Sequence, residues 1–184
     1  MDGIVDTAGR TFVEVAEVWV PEDGRLVLSS GAYGPHQDFG FASVNTQFAK
    51  GEGLPGRAWA EARPILLTDL DDPGFVRGRT AKAAGLSVGV ALPIFAGAEL
   101  KAVMVLFCGG VGTFGAIEVW AEDKGELALS GGFYGDAAAF EDVSRATRFK
   151  RGHGLPGGVW ASMTPILMRD LGRAGGFVRA DAAA

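Results

Sequence analysis

Hydrophobic positions in this chain fall in short, strand-length runs separated by Gly, Pro and Asp-Gly. Residues 13–20, VEVAEVWV, are rich in β-forming side chains and predict a strand. PEDG follows as a turn, and residues 25–32, RLVLSSGA, predict the return strand of a hairpin. The pattern loosens in YGPHQDFGFASVNTQF, which predicts a loop and then a short helix. In LPGRAWAEA, Pro55 suits a first helical turn, where its missing N–H costs nothing, and the helix must end before Pro64. PILLTDL predicts a short strand. DDPGFVRGRTAKAAG has an acidic start, helix formers and a stop at Gly85, and predicts a helix. LSVGVALPIFAGAELKAVMVLF, the most strand-like stretch, predicts two strands joined at AGAE. The order describes an α+β fold, a central antiparallel sheet flanked by helices.

Much of this pattern is then spelled a second time. GEGLPGRAWAEARPILLTDL begins at Gly51, and GHGLPGGVWASMTPILMRDL begins at Gly152, 101 positions later. The same offset aligns EVW at Glu17 with EVW at Glu118, LSSGAYG at Leu28 with LSGGFYG at Leu129, Phe39 with Phe140, and Phe48 with Phe149. Close to half the positions from Glu17 to Leu70 are identical to their partners. Solenoid repeats run about 20–50 residues, so this period is that of a domain. The expected organisation is a complete module over residues 1–110 and a partial one over 111–184. After Asp170 the second copy needs one extra residue before GGFVRADAAA matches PGFVRGRTAK. It has no equivalent of the closing strand hairpin. Three explanations stand open. The sequence is a fragment of a longer chain, the second copy borrows strands from the first or from another chain, or it is degenerate and partly disordered.

Composition narrows the function classes. The hydrophobic share of 48% and the charged share of 21% are ordinary for a globular protein. A net charge of −5 gives no general attraction to nucleic acid or anionic membrane, and RFKRGH at residues 148–153 is too short to reverse that. No apolar run approaches the ~18–20 residues of a membrane span. MDGIVDTAGR lacks the basic and apolar regions of a signal peptide. A single cysteine, Cys108, cannot close an internal disulfide, which points to a cytoplasmic chain.

Catalytic patterns are missing. There is no cysteine pair at metal-binding spacing, and His36 and His153 do not occupy equivalent repeat positions. No GxSxG elbow or GxxxxGK[ST] phosphate loop occurs. GEGLPG at Gly51 fits GxGxxG, but its proline and the lack of a long βαβ unit argue against a dinucleotide site. The residues that recur are instead Trp59 and Trp160, Asp69 and Asp170, and the FVR strings with Phe75, Arg77, Phe177 and Arg179. Each tryptophan is expected to anchor a helix on the sheet, with a pocket-wall contact as the alternative. Each aspartate is expected to cap the following turn, with a polar ligand contact as the alternative. The phenylalanines are expected in the core. The arginines are expected in surface ion pairs or, for Arg77, beside Asp69, with an anionic ligand as the alternative.

The string GEGLPGRAW…P…DL…F.R…AGL…ALPI…V..F resembles the GAF domain, a small sensory and regulatory module of signalling proteins. The resemblance covers about residues 13 to 109, and residues 115 to 184 incompletely. It implies a central antiparallel sheet of five or six strands with the closing hairpin in its middle. A pocket is expected between the sheet and the connecting segments. Family members that reduce free methionine sulfoxide look as if they need several cysteines, and this chain has one. Bilin attachment uses a cysteine before the closing hairpin, whereas Cys108 ends the last predicted strand and reads as a small, half-buried residue. The Asn-Lys…Phe…Asp-Glu signature of cyclic-nucleotide binders is not found.

The implied function is a non-catalytic sensory or regulatory module, in tandem, that binds a small molecule or a protein partner. Trp59, Asp69, Phe75, Arg77, Trp160 and Asp170 are its candidate ligand contacts, and no cofactor is named by the residues. A homodimer or an output domain is the expected protein partner. A structural or dimerisation module without a small ligand is the alternative. A filled space between sheet and helices favours that alternative, and an open one with converging polar groups favours a ligand.

Overall fold

Alternation along the first strand organises the core. In the computed structural model, which describes residues 12–109, 114–168 and Arg179, β1 (Val13–Glu22) buries Val15, Glu17 and Trp19 on one face. Successive strand residues point to opposite faces, so a glutamate in that series is carried into the core and needs partners there. The turn after β1 sets the register of β2 (Arg25–Ala32). Asp23 and Gly24 both take positive φ, 48° and 77°, which suits a two-residue hairpin matched to the strand twist.

The chain divides into two compact units, Met1–Thr113 and Phe114–Ala184. The first holds β1, β2, α1 (Gln37–Val44), β3 (Phe48–Ala49), α2 (Gly53–Glu61), β4 (Ile65–Leu67), α3 (Gly78–Ala83), β5 (Leu86–Ala96) and β6 (Glu99–Gly109). Its strands form one antiparallel sheet in the order β3-β2-β1-β6-β5-β4. The β5–β6 hairpin lies inside the sheet, as the resemblance implied. β6 pairs with β1, placing Val105 opposite Glu17 and Val103 opposite Trp19. The core joins Phe107, Val105 and Val103 of β6 to Phe39 of α1, Leu54 and Ala58 of α2, and Phe75.

The repeated glycine motif is explained by a close approach. A Cβ on Gly56 would sit 2.2 Å from the Ala49 carbonyl oxygen, while Gly51 N–H donates to the Gly56 carbonyl at 2.7 Å. Pro55 lies in the first turn of α2, and the helix ends at Ala62, which adopts φ 50° before Pro64. α3 is shorter than expected. The stretch before it is a series of turns, in which Asp69 and Asp72 side chains accept from backbone N–H groups at 2.8 and 2.6 Å.

The second unit holds β7 (Phe114–Asp123), β8 (Glu126–Gly135), α4 (Ala138–Ala146), β9 (Arg148–Phe149) and α5 (Gly154–Ser162). Its three strands pair in the order β7-β8-β9. The β7–β8 ladder breaks register between Val119 and Trp120, as β1–β2 does between Val18 and Trp19. One expectation is corrected here. Residues 165–168, PILM, do not form the short strand that their match to β4 suggested, and Leu167 is 87% exposed. β4 exists in the first unit because it pairs with β5, and the described residues of the second unit include no strand in the place of β5. Cys108 is another correction, fully buried rather than half-buried. No helix among the described residues is long and apolar enough to cross a membrane.

Candidate functional site

The glutamate carried inward by β1 is the centre of a buried polar cluster. Arg77 forks onto it, with Nη1 donating to Glu17 Oε1 at 2.6 Å and Nη2 to Oε2 at 2.9 Å. Trp19 Nε1 donates to Oε2 at 2.9 Å, and Tyr33 Oη to Oε1 at 3.3 Å. The Ser43 hydroxyl lies 2.6 Å from Oε1 and 2.8 Å from the Phe39 carbonyl, and accepts from Arg77 Nη1. Glu17 is 1% exposed and Arg77 4%. A buried carboxylate that accepts five hydrogen bonds, two of them from a guanidinium, meets the conditions under which such a charge is tolerated.

Rings complete the enclosure. The Arg77 guanidinium carbon lies 4.6 Å from the Phe39 ring centroid, 5.3 Å from Trp19, 5.4 Å from Phe107, 5.6 Å from Phe48 and 6.0 Å from Phe75. These are cation–π distances. Tyr33 is pressed inward because its ring occupies the space above two glycines. A Cβ on Gly31 would stand 2.5 Å from it, and one on Gly40 2.9 Å. Burial, and then the Glu17 charge, push the Tyr33 phenol above its ordinary value.

The second unit builds the same arrangement from residues at the repeat offset, save Arg179, which stands one position beyond it. Arg179 Nη1 and Nη2 donate to Glu118 Oε1 and Oε2 at 2.6 and 2.8 Å, and Nη1 also donates to Ser144. Tyr134 donates to Glu118 at 2.9 Å and Trp120 at 3.1 Å. Phe140, Trp120 and Phe149 lie 4.5, 5.1 and 5.5 Å from the Arg179 guanidinium. Burial opposes ionisation of Glu118. Hydrogen bonds from Arg179 and Ser144 and the Arg179 charge outweigh it and hold the carboxyl below the usual range. Burial is also the largest cause that pushes the Tyr134 phenol up to about 12.

Of the residues expected from sequence to contact a ligand, Phe75 and Arg77 come together in this cluster. The expectation for Arg77 is corrected, since it is buried on Glu17 rather than at the surface or beside Asp69. Glu17 offers a desolvated carboxylate on the core face, whereas Asp69 is engaged with the N–H of Asp71. Trp59 is half-buried against the core, with Lys50 Nζ 5.8 Å over its ring, and Trp160 is half-buried with Arg151 at 5.8 Å. Asp170 and Phe177 lie outside the described residues. Sequence reasoning passed over Glu17, Tyr33 and Ser43 as site residues. The signal was present, because all three are polar and identical at the repeat offset.

A surface hollow of about 330 Å³ is lined by the segment that carries Arg77 and by α3, between Leu70, Asp72, Phe75, Gly78 and Lys82. Among the described residues, no group of three or more His, Cys, Asp or Glu side chains could hold a metal ion.

The sequence model of the GAF domain matches residues 1–121. The chain belongs to the GAF domain family. Domains of this family are often regulatory or sensory and commonly bind small molecules or partners. Similar solved structures include the nlh2 GAF domain of A. aeolicus in an inactive state, at 22% identity and a TM-score of 0.43, covering 53% of this chain and 58% of that one. Another is the GAF domain of a phosphoenolpyruvate-protein phosphotransferase from Coxiella burnetii, at 20% identity and 0.42, covering 52% and 56%. A free methionine-R-sulfoxide reductase from Neisseria meningitidis, in complex with its substrate, is similar at 17% identity and 0.41, covering 52% of each chain. The chain thus spans less than two thirds of the length of each of these GAF-fold structures. No curated protein matches it.

Proposed function

We propose that this chain is a non-catalytic sensory or regulatory module of GAF type, with residues 114–184 a second, incomplete module. The observation that carries the reading is the Glu17–Arg77 pair in the space between sheet and helices. Its acceptor stands on β1, while its cation stands on residues 68–77, a strap between β4 and α3 without helix or strand. Such a pair offers two discrete arrangements, strap in and strap out, and a ligand or partner that prefers one of them shifts the balance. The non-catalytic part is supported by the state of the candidate nucleophile. Cys108 is fully buried, and burial followed by the Glu14 charge pushes its thiol up to about 12, which keeps the thiolate scarce. His36 is tied to Glu14.

Amide hydrogen exchange on the whole chain tests the switch. Residues 68–79 are expected to exchange through a local opening, at a lower free energy than the β1–β6 ladder. Exchange of that segment only in step with the ladder would remove the two-state element and the reading with it. A structural or dimerisation role is the second reading. It is favoured by β7, which among the described residues is paired on one side only, where β1 is paired on both. Native mass spectrometry separates the two, since a retained small molecule supports the sensor and a clean empty dimer supports the structural role.

A further inference from the structure

We propose that the aromatic and carboxylate cage of the first unit is a recognition site for a small alkylguanidinium ligand, and that Arg77 is its resident, exchangeable occupant. The inference rests on the strap-in, strap-out reading above. It adds the chemistry of what takes the place of the strap.

The cage is complete without the strap except for one ring. Glu17 and Trp19 come from β1, Tyr33 follows β2, Phe39 and Ser43 stand on α1, Phe48 on β3 and Phe107 on β6. Only Phe75 and Arg77 are delivered by residues 68–77. A binding constellation held on strands and a helix keeps its geometry when a connecting segment moves. With Arg77 withdrawn, Glu17 would still accept from Trp19, Tyr33 and Ser43. Its two oxygens would still point into a ring-lined space.

The shape of that space selects the cation. Both carboxylate oxygens are engaged in parallel by Nη1 and Nη2, a geometry that a planar guanidinium meets and an ammonium does not. The surrounding faces of Phe39, Phe48, Phe107 and Trp19 favour a flat, weakly hydrated cation.

Two further observations mark Arg77 as an exchangeable occupant. Its Nε is buried without a hydrogen-bond partner and Nη2 makes a single bond, so the resident leaves two of its five N–H donors unmet, which is costly in a dry site. A ligand free of the chain is not held in that orientation by a backbone. Beyond Leu70 and Phe75, which reach the core, the strap is held by short-range turns at Asp69 and Asp72 and by the exposed Lys82–Asp71 pair. A hollow between Leu70 and Lys82 is lined by strap residues. The same cluster, Glu118 with Trp120, Tyr134 and Ser144, recurs in the second unit with a guanidinium on it.

The test uses the whole chain with its tryptophan indoles isotope-labelled and assigned by single substitutions. Trp19 donates directly to Glu17 Oε2 at 2.9 Å, so its indole signal reports the carboxylate. Ethylguanidinium is titrated in the millimolar range, with ethylammonium and urea as controls. The expected result is a saturable shift of the Trp19 signal with ethylguanidinium alone, lost in Glu17→Gln. In Arg77→Ala the midpoint is expected to fall by about tenfold or more, because a competent site no longer waits on strap opening. A flat titration in the wild-type chain, or equal shifts with ethylammonium, overturns the proposal, and the wild-type result decides even if Arg77→Ala does not fold. If hydrogen exchange shows the strap opening while the titration is flat, the ligand class fails and the regulatory reading stands. If the strap does not open, both fail.

Discussion

Arg77 holds Glu17 by both oxygens across 60 residues of chain, in a site where neither side chain meets water. Removing one member strands the other as a buried charge. Glu17→Gln and Arg77→Met are each expected to cost about 3–5 kcal/mol in urea unfolding followed by tryptophan fluorescence. The double variant should recover a substantial part of that loss, since neither charge then remains. Single variants within about 1 kcal/mol of the parent would mean that the pair is solvated.

Gly31 and Tyr33 are coupled through space that only a missing Cβ leaves open. Gly31→Ala places a carbon 2.5 Å from the Tyr33 ring. The ring must then leave Glu17, at an expected cost of about 1–3 kcal/mol. Once it has left, Tyr33→Phe should add little in the Gly31→Ala background while costing more in the parent. A fully additive double-mutant cycle would disprove the coupling.

Alkaline unfolding should report Tyr134. Its phenol is shifted from 10.0 to about 12, so the folded state disfavours the phenolate. The contribution is fully present below pH 10 and is lost as pH rises towards 12. Glu118 has the opposite sign. Its carboxyl is held below 4.5, so its contribution is present above that pH and fades as acid protonates it. Tyr134→Phe is expected to flatten the alkaline limb of a stability–pH curve and leave the acid limb in place. An unchanged alkaline limb would count against the burial of that phenol.

Cys108 should be chemically silent in the folded chain. Raising its thiol from 9.0 to about 12 lowers the thiolate fraction near pH 8 by about a thousandfold. Iodoacetamide labelling followed by mass spectrometry is therefore expected to proceed only through unfolding, at a rate that rises with urea. Labelling at the rate of the unfolded chain in native buffer would contradict the close packing of β5 on β6.

The α+β class and the elements of the first unit were legible because each rests on local chemistry. Asp23-Gly24 makes its turn, Pro55 opens α2, and the β5–β6 hairpin is the most strand-like stretch of the chain, its interior place implied by the resemblance to the GAF domain. The short strand at residues 165–168 was misread because its existence depends on a neighbour. Ile65–Leu67 is a strand only beside Gly89–Ala91, and an isolated PIL string carries no sign of that dependence. The site was half legible for a related reason. Arg77 was visible in the repeated FVR, but its partner lies far along the sequence. A glutamate among valines, as in VEVAEVWV, reads as the polar face of a strand. Only its alternation with Val15 and Trp19, set beside its recurrence as Glu118, places it inside.

The two arginines reach their carboxylates by paths of different length. Arg77 stands 60 positions after Glu17, whereas Arg179 stands 61 after Glu118. An extra residue in the leash has not moved the point where the leash is tied. Each guanidinium is located by its receptacle rather than by the length of chain leading to it. The connecting stretch is therefore a natural place for a designer to insert a fluorophore or a cleavage sequence, with the knot left as it is.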